Sequence, residues 1–160
     1  LAMSSAISSM AGQNIGAGEL KRAKKTMTTG LMIALGISAL VFIIVEIFPR
    51  ELLTLFTSET DVVETGITFL RLAAAEYMIV TPVFCMNGLA IGAGYTNVAL
   101  LNAISSSIII RVPLAYLLVR VFDLGFNGIG IAMGFAPIVS LFIGIIFVQS
   151  GKWKKAKIRL

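Results

Sequence analysis

The stretch Met27–Phe48, MTTGLMIALGISALVFIIVEIF, decides the fold. It carries one ionisable residue, Glu46, near its end, and is closed by Pro49, which cannot continue a helix. At ~1.5 Å of rise per residue, an apolar helix of this length crosses about 30 Å of hydrocarbon. Three further segments repeat the pattern: 62–93, 97–122 and 128–149. Each contains a proline (Pro82, Pro113, Pro137), which is tolerated in membrane helices because neighbours satisfy the freed carbonyls. Pro82 is expected to kink its helix. Residues 1–15 read as the tail of a fifth helix, small and polar (Ser4, Ser5, Ser8, Ser9, Gln13, Asn14), facing protein or water rather than lipid. The expected fold is therefore all-α, a polytopic membrane bundle of four full spans plus one partial helix.

Composition agrees. Of 160 residues 58% are hydrophobic and 13% charged, against about a quarter charged in soluble domains. The net charge is +5, and nine of the 13 basic residues form two clusters, Lys21, Arg22, Lys24, Lys25 and Lys152, Lys154, Lys155, Lys157, Arg159. Both flank apolar runs without interleaved aromatics, so they read as membrane-flanking charge and not as a nucleic-acid face. Four crossings separate them, so both fall on one side, and the positive-inside rule makes that side, with the C-terminus, cytoplasmic. Glu51, Glu59, Asp61, Glu64 and Asp123 fall opposite. The single cysteine, Cys85, reads as a small buried hydrophobe. Leu1 falls in mid-helix, so the chain is expected to lack an N-terminal part.

The connections are short. Gly16-Ala17-Gly18 breaks the first helix, Gly94-Tyr95-Thr96 and 123–127 form turns, and 49–61 form an outer loop with an amphipathic stretch, Leu52, Leu53, Leu55 and Phe56. Asp61 and Glu64 have capping-box spacing. Gly130 and Gly134 have GxxxG spacing, which favours close packing.

Ionisable residues at membrane depth are costly and often functional. Glu46 sits near the outer interface, within reach of headgroups or water. Glu76 is deep in the second span, beside Tyr77, on a stripe with Val80, Val83 and Asn87. Arg111 is deep in the third. Counted from the turn at 94–96, they lie about 19 and about 16 residues up neighbouring antiparallel helices, within about one turn in depth. A Glu76–Arg111 pair is expected, either as a buried bridge or as a gate opened by protonation or cation binding at Glu76. Asn102 and Ser106 share a face of the third span, for helix contact or for lining a cavity.

Enzyme chemistry finds no support. Without histidine there are no zinc-protease ligands and no Ser–His pair. Asp61 and Asp123 are in loops, and no GxxxxGK[ST] occurs, so neither a metal site nor a resident cofactor is expected.

The segment Gly12-Gln13-Asn14-Ile15-Gly16-Ala17-Gly18 with Lys21-Arg22-Ala23 resembles a signature of multidrug and toxic compound extrusion (MATE) transporters. Pro49 through Phe56-Thr57 with Leu70-Arg71, Gly88 through Gly94, Arg111-Val112-Pro113-Leu114-Ala115-Tyr116 and Gly151-Lys152-Trp153-Lys154 are similar to later stretches of that family, in order. The resemblance implies the C-terminal lobe of a twelve-helix transporter, from the end of helix 8 through helix 12, partnered by an N-terminal lobe and by lipid. It implies export of organic cations and drugs in exchange for H⁺ or Na⁺ across the plasma membrane. Glu76 is then the candidate for cation or proton interaction, with Tyr77, Asn87, Asn102 and Ser106 lining the cavity. A lipid-linked-oligosaccharide flippase of the same superfamily and a non-transporting helical scaffold are the alternatives.

Overall fold

The computed structural model describes residues 1–155, with the backbone alone for Phe126 and Asn127. Lys157 and Arg159 of the second basic cluster lie outside the described residues. The elements are α1 (Ala2–Gly16), α2 (Leu20–Ile47), α3 (Pro49–Thr54), α4 (Thr60–Gly92), α5 (Thr96–Ile104), a π-helical segment (Ser105–Arg111), α6 (Val112–Arg120), α7 (Gly125–Gln149) and a final 3₁₀ turn (Lys152–Lys154). Among the described residues there is no strand. Four stretches are long and apolar enough to cross a membrane: Leu20–Ile47, Thr60–Gly92, Thr96–Arg120 and Gly128–Gln149.

Helix α4 is the hub. It packs against α1, α2 and α7, while the π segment and α6 lie along α7. The core gathers at one end of the bundle, where Ile7, Ala11 and Ile15 of α1 meet Leu89 and Ala90 of α4, and where Phe147 and Trp153 close over Ala23, Met27 and Ala93. Elsewhere large apolar side chains such as Ile37, Leu40, Ile108 and Ile146 point outward. Only 6% of the most apolar window of Thr96–Arg120 is buried, so this bundle is soluble in lipid, not in water. Because Ala23 and Trp153 share one cluster, the two basic runs flank the same end of the bundle.

The buried face of α1 is apolar, a stripe at 7, 11 and 15, while Ser5 and Ser9 point away. Close approach to α4 is made by glycine. A Cβ on Gly92 would lie 2.5 Å from the Ser8 carbonyl oxygen, and one on Gly88 2.6 Å from that of Ser4. Both α1 and α4 end in Gly-Ala-Gly. Gly18 (φ 76°) and Gly94 (φ 81°) take the left-handed conformation. Glu19 N–H then donates to Asn14 O (2.8 Å) and Gly18 N–H to Ile15 O (3.0 Å). Tyr95 N–H donates to Ala90 O (2.8 Å) and Gly94 N–H to Ile91 O (2.9 Å). These paired bonds are Schellman caps, which satisfy carbonyls the helix leaves open.

Several expectations need correction. No capping box forms at Asp61 and Glu64. Glu59 is the N-cap, without a side-chain cap bond, and Glu64 instead accepts from Arg50 of α3. The outer stretch is only partly amphipathic. Leu53 packs against Gly66, but Leu55 and Phe56 follow the end of α3 and are exposed. Helix α7 begins at Gly125, inside the expected 123–127 turn. The Gly130/Gly134 pair is not one packing motif. Gly130 meets Leu72, while a Cβ at Gly134 meets nothing within 4 Å among the described residues. The third span is interrupted by the π segment directly before Pro113, whose missing N–H leaves a carbonyl of the preceding turn without its α-helical donor.

Candidate functional site

A cavity of about 570 Å³ opens between α4, the α5–π–α6 span and α7. Its α4 wall is the stripe read from spacing, Glu76, Val80, Val83 and Asn87, with Phe69 and Ala73 extending it toward the Thr60 end of the helix. Asn102, Ser106 and Arg111 form the facing wall, and Met133, Pro137 and Ser140 of α7 close the side. Tyr77 stands at the edge, 62% exposed, between this cavity and a second of about 430 Å³ bounded by α1, α2 and α4. All five sequence-selected residues, with Arg111, thus border one space.

The two charges meet at span depth. Arg111 Nη2 donates to Glu76 Oε1, with side chains 34% and 12% exposed. Toward the basic end, Asn102 Nδ2 donates to Asn87 Oδ1 (2.6 Å), and Ser140 Oγ donates to the Asn102 backbone carbonyl (2.9 Å). Three helices are therefore tied through Asn102, which is 2% exposed. Two buried polar atoms remain without a partner among the described residues, Asn102 Oδ1 and Arg111 Nε.

The π segment brings these residues together. In a regular α-helix each residue advances about 100°, so nine steps from Asn102 would put Arg111 on roughly the opposite face. An i→i+5 turn holds more residues, so each advances less. Through Ser105–Arg111 the lag accumulates and returns Arg111 to the Asn102–Ser106 side. A π segment has no simple sequence signature, so this rotation is a structural finding.

Sequence reasoning missed four contributors. Ser140 and Met133 are ordinary residues of an apolar helix, and only the packing of α7 on α4 turns them inward. Arg71 was absent from the list of charges at membrane depth. Its Nε lies 3.3 Å from Glu46 Oε2, and its Nη2 donates to the Glu46 carbonyl at 3.3 Å. Glu46 is thus answered by protein and not only by headgroups or water. The signal was available, since Glu46 lies near the end of α2 and Arg71 in the first half of α4, the next span. The fourth is the bond between Ser38 of α2 and Thr81 of α4, at 2.6 Å.

With this geometry in hand, known proteins give it a context. A probable multidrug resistance protein, YpnP, from Bacillus subtilis (strain 168) is 31% identical over 159 residues, covering 99% of this chain and 35% of that protein. A probable multidrug resistance protein, NorM, from Thermotoga maritima is 28% identical over 153 residues, covering 96% of this chain and 33% of that protein. The fold matches a multidrug resistance MATE family transporter of the MOP superfamily in an inward-facing conformation, with a TM-score of 0.87 and 21% identity over 99% of this chain and 37% of the other. It also matches the eukaryotic MATE transporter AtDTX14, with a TM-score of 0.81 and 23% identity over 96% and 34%. The chain spans about a third of the length of these relatives. The MatE family model matches residues 1–117. This polytopic helical membrane chain, with its two Gly-Ala-Gly helix ends, belongs to the MatE family.

Proposed function

We propose that this chain is the C-terminal lobe of a two-lobe secondary antiporter, which exports organic cations or drugs across the plasma membrane in exchange for H⁺ or Na⁺. The observation that carries the reading is the Glu76–Arg111 pair on the wall of a 570 Å³ cavity at span depth. A charge near the middle of a span costs about 2.5–3.5 kcal/mol or more when unpaired, so a carboxylate there is held by its partner or by a cation. A proton, a sodium ion and a cationic drug are alternative partners for Glu76. Occupancy by one opposes occupancy by another, and this competition couples the two flows. Asn87, Asn102, Ser106 and Tyr77 supply polar contacts on an otherwise apolar wall, the pattern expected of a small-molecule site. Both relatives are probable multidrug resistance proteins, which is in keeping with such a cavity. The N-terminal lobe covers the open side of the cavity, lipid covers the rest, and the basic end with the C-terminus is cytoplasmic.

The test is dye efflux from proteoliposomes holding the complete protein, wild type or Glu76→Gln, under imposed H⁺ and Na⁺ gradients. Gradient-driven efflux lost in the variant supports the antiporter with Glu76 in its coupling path. Efflux unchanged in the variant leaves an exporter and removes Glu76 from coupling. No efflux from folded protein under either gradient turns the reading to the flippase or the scaffold.

A further inference from the structure

We infer that the basic end of this bundle is a docking surface for anionic phospholipid headgroups, assembled from two runs that the fold brings to one place. The inference stands apart from the efflux reading, since it uses neither the cavity nor its charges.

Three observations carry it. First, the charge at this end is one-sided and unanswered. Lys21, Arg22, Lys24, Lys25, Lys152, Lys154 and Lys155 are all exposed, and among the described residues Glu19 is the one acid beside them. Among the described residues none of these cations lies in an ion pair. The opposite end is built differently, because there Glu64 holds Arg50 and Glu46 holds Arg71. The chain answers its own arginines at that end and leaves the basic end to a partner from outside.

Second, the fold fixes the later run in place. Trp153, 2% exposed, donates from Nε1 to Val148 O at 3.1 Å, and Tyr95 Oη donates to Lys155 O at 2.9 Å. Lys154 Nζ stands 5.8 Å from the centre of the Trp153 ring. Trp153 shares one buried cluster with Ala23 and Met27, whose burial leaves the cations at 21–25 on the outward side of α2. Lys152, Lys154 and Lys155 therefore project from a strap tied to the helix ends, and the two runs form one surface.

Third, depth selects lipid over a soluble partner. The apolar run of α2 begins at Met27. At ~1.5 Å of rise per residue, Lys25 stands about 3 Å and Lys21 about 9 Å beyond it. The headgroup layer on each side of the hydrocarbon is about 5–8 Å thick. Lys152 follows Gln149, the end of α7, by three residues, so the strap starts in the same layer. Phosphate oxygens at that level accept charge-assisted hydrogen bonds from ammonium and guanidinium groups. Clusters of about four to eight Lys and Arg next to a membrane helix have the pattern that attracts anionic lipid.

The experiment measures lipid retention by native mass spectrometry on the complete protein. Phosphatidylglycerol and phosphatidylcholine with identical acyl chains are the probes. Wild type is expected to prefer phosphatidylglycerol about fivefold or more, the factor worth one cation near an anionic surface. A variant carrying Lys24→Gln, Lys25→Gln, Lys154→Gln and Lys155→Gln is expected to lose most of that preference. Each pair of substitutions alone should remove part of it, and Arg120→Gln, at the opposite end, should keep it whole. Size-exclusion chromatography establishes that each variant is folded, and the two pairs carry the test if the fourfold variant is not. Equal retention of the two lipids by wild type overturns the inference. So does an unchanged preference in the folded variants. Displacement of phosphatidylglycerol from wild type by millimolar inorganic phosphate would assign the surface to free phosphate and overturn the lipid assignment. Each of these results leaves the efflux reading where it stands.

Discussion

Replacing Gly92 by alanine tests whether α1 and α4 are held in backbone contact. The added Cβ would lie 2.5 Å from Ser8 O and 3.0 Å from Gly12 N. Non-bonded carbon contacts are comfortable at about 3.5–4.0 Å, so α1 must retreat by about 1 Å. Both colliding atoms are backbone, so no side-chain rotation relieves the clash. Overpacking of this kind costs about 1–3 kcal/mol. The retreat also loosens Ile7, Ala11 and Ile15 against Leu89 and Ala90, and a gap of 0.5–1 Å forfeits about a quarter to a half of each dispersion contact. The expected loss is about 3 kcal/mol. Gly88→Ala meets Ser4 O at 2.6 Å and requires the same retreat. Once α1 has moved for one substitution, the second costs little, so the double variant should lose about as much as either single. Gly36 is the control: nothing lies within 4 Å of its Cβ among the described residues, and Ala there gains about 1 kcal/mol of helix propensity. Thermal unfolding can be followed with a thiol-reactive dye, because Cys85, the chain's one cysteine, is 1% exposed beside this interface. Gly92→Ala unfolding no earlier than Gly36→Ala would refute the argument, and a double variant with fully additive loss would refute the shared retreat.

Single replacements Glu76→Leu and Arg111→Leu each leave one charge unmatched and should cost about 3 kcal/mol, while the double replacement recovers most of it, as read from folded yield by size-exclusion chromatography. Trp153→Ala removes a side chain that is 2% exposed and donates to Val148 O at 3.1 Å; a loss of about 3–5 kcal/mol is expected in the same thermal assay. Ser140→Ala removes the hydroxyl that ties α7 to the Asn102 carbonyl and should cost about 1–2 kcal/mol, with faster hydrogen exchange near residue 102. Cysteines introduced at Lys24 and Lys154 should resist a membrane-impermeant maleimide in intact cells while one at Glu59 reacts; labelling of all three would contradict the proposed sidedness.

Much of this protein is legible in one dimension. Hydrophobicity and helix length are local properties, and a bilayer demands about 20 apolar residues per span, so Met27–Phe48 announces a crossing without reference to any other segment. Gly-Ala-Gly at 16–18 and 92–94 announces helix ends, because glycine enters the left-handed cap conformation without steric cost. The shared depth of Glu76 and Arg111 follows from counting residues at a fixed rise. What counting cannot give is rotation about each helix axis. Arg111 reaches the face of Asn102 and Ser106 through the π segment, and Ser140 reaches Asn102 through the packing of α7. Asp61 and Glu64 had the spacing of a capping box, yet Arg50 on α3 takes Glu64, because a charged partner across a loop competes with a local backbone bond. Depth and helix ends are properties of each segment alone and were fixed by composition; the cavity, its paired charges and its two unanswered polar atoms depend on how segments turn toward one another, which only their mutual packing decides.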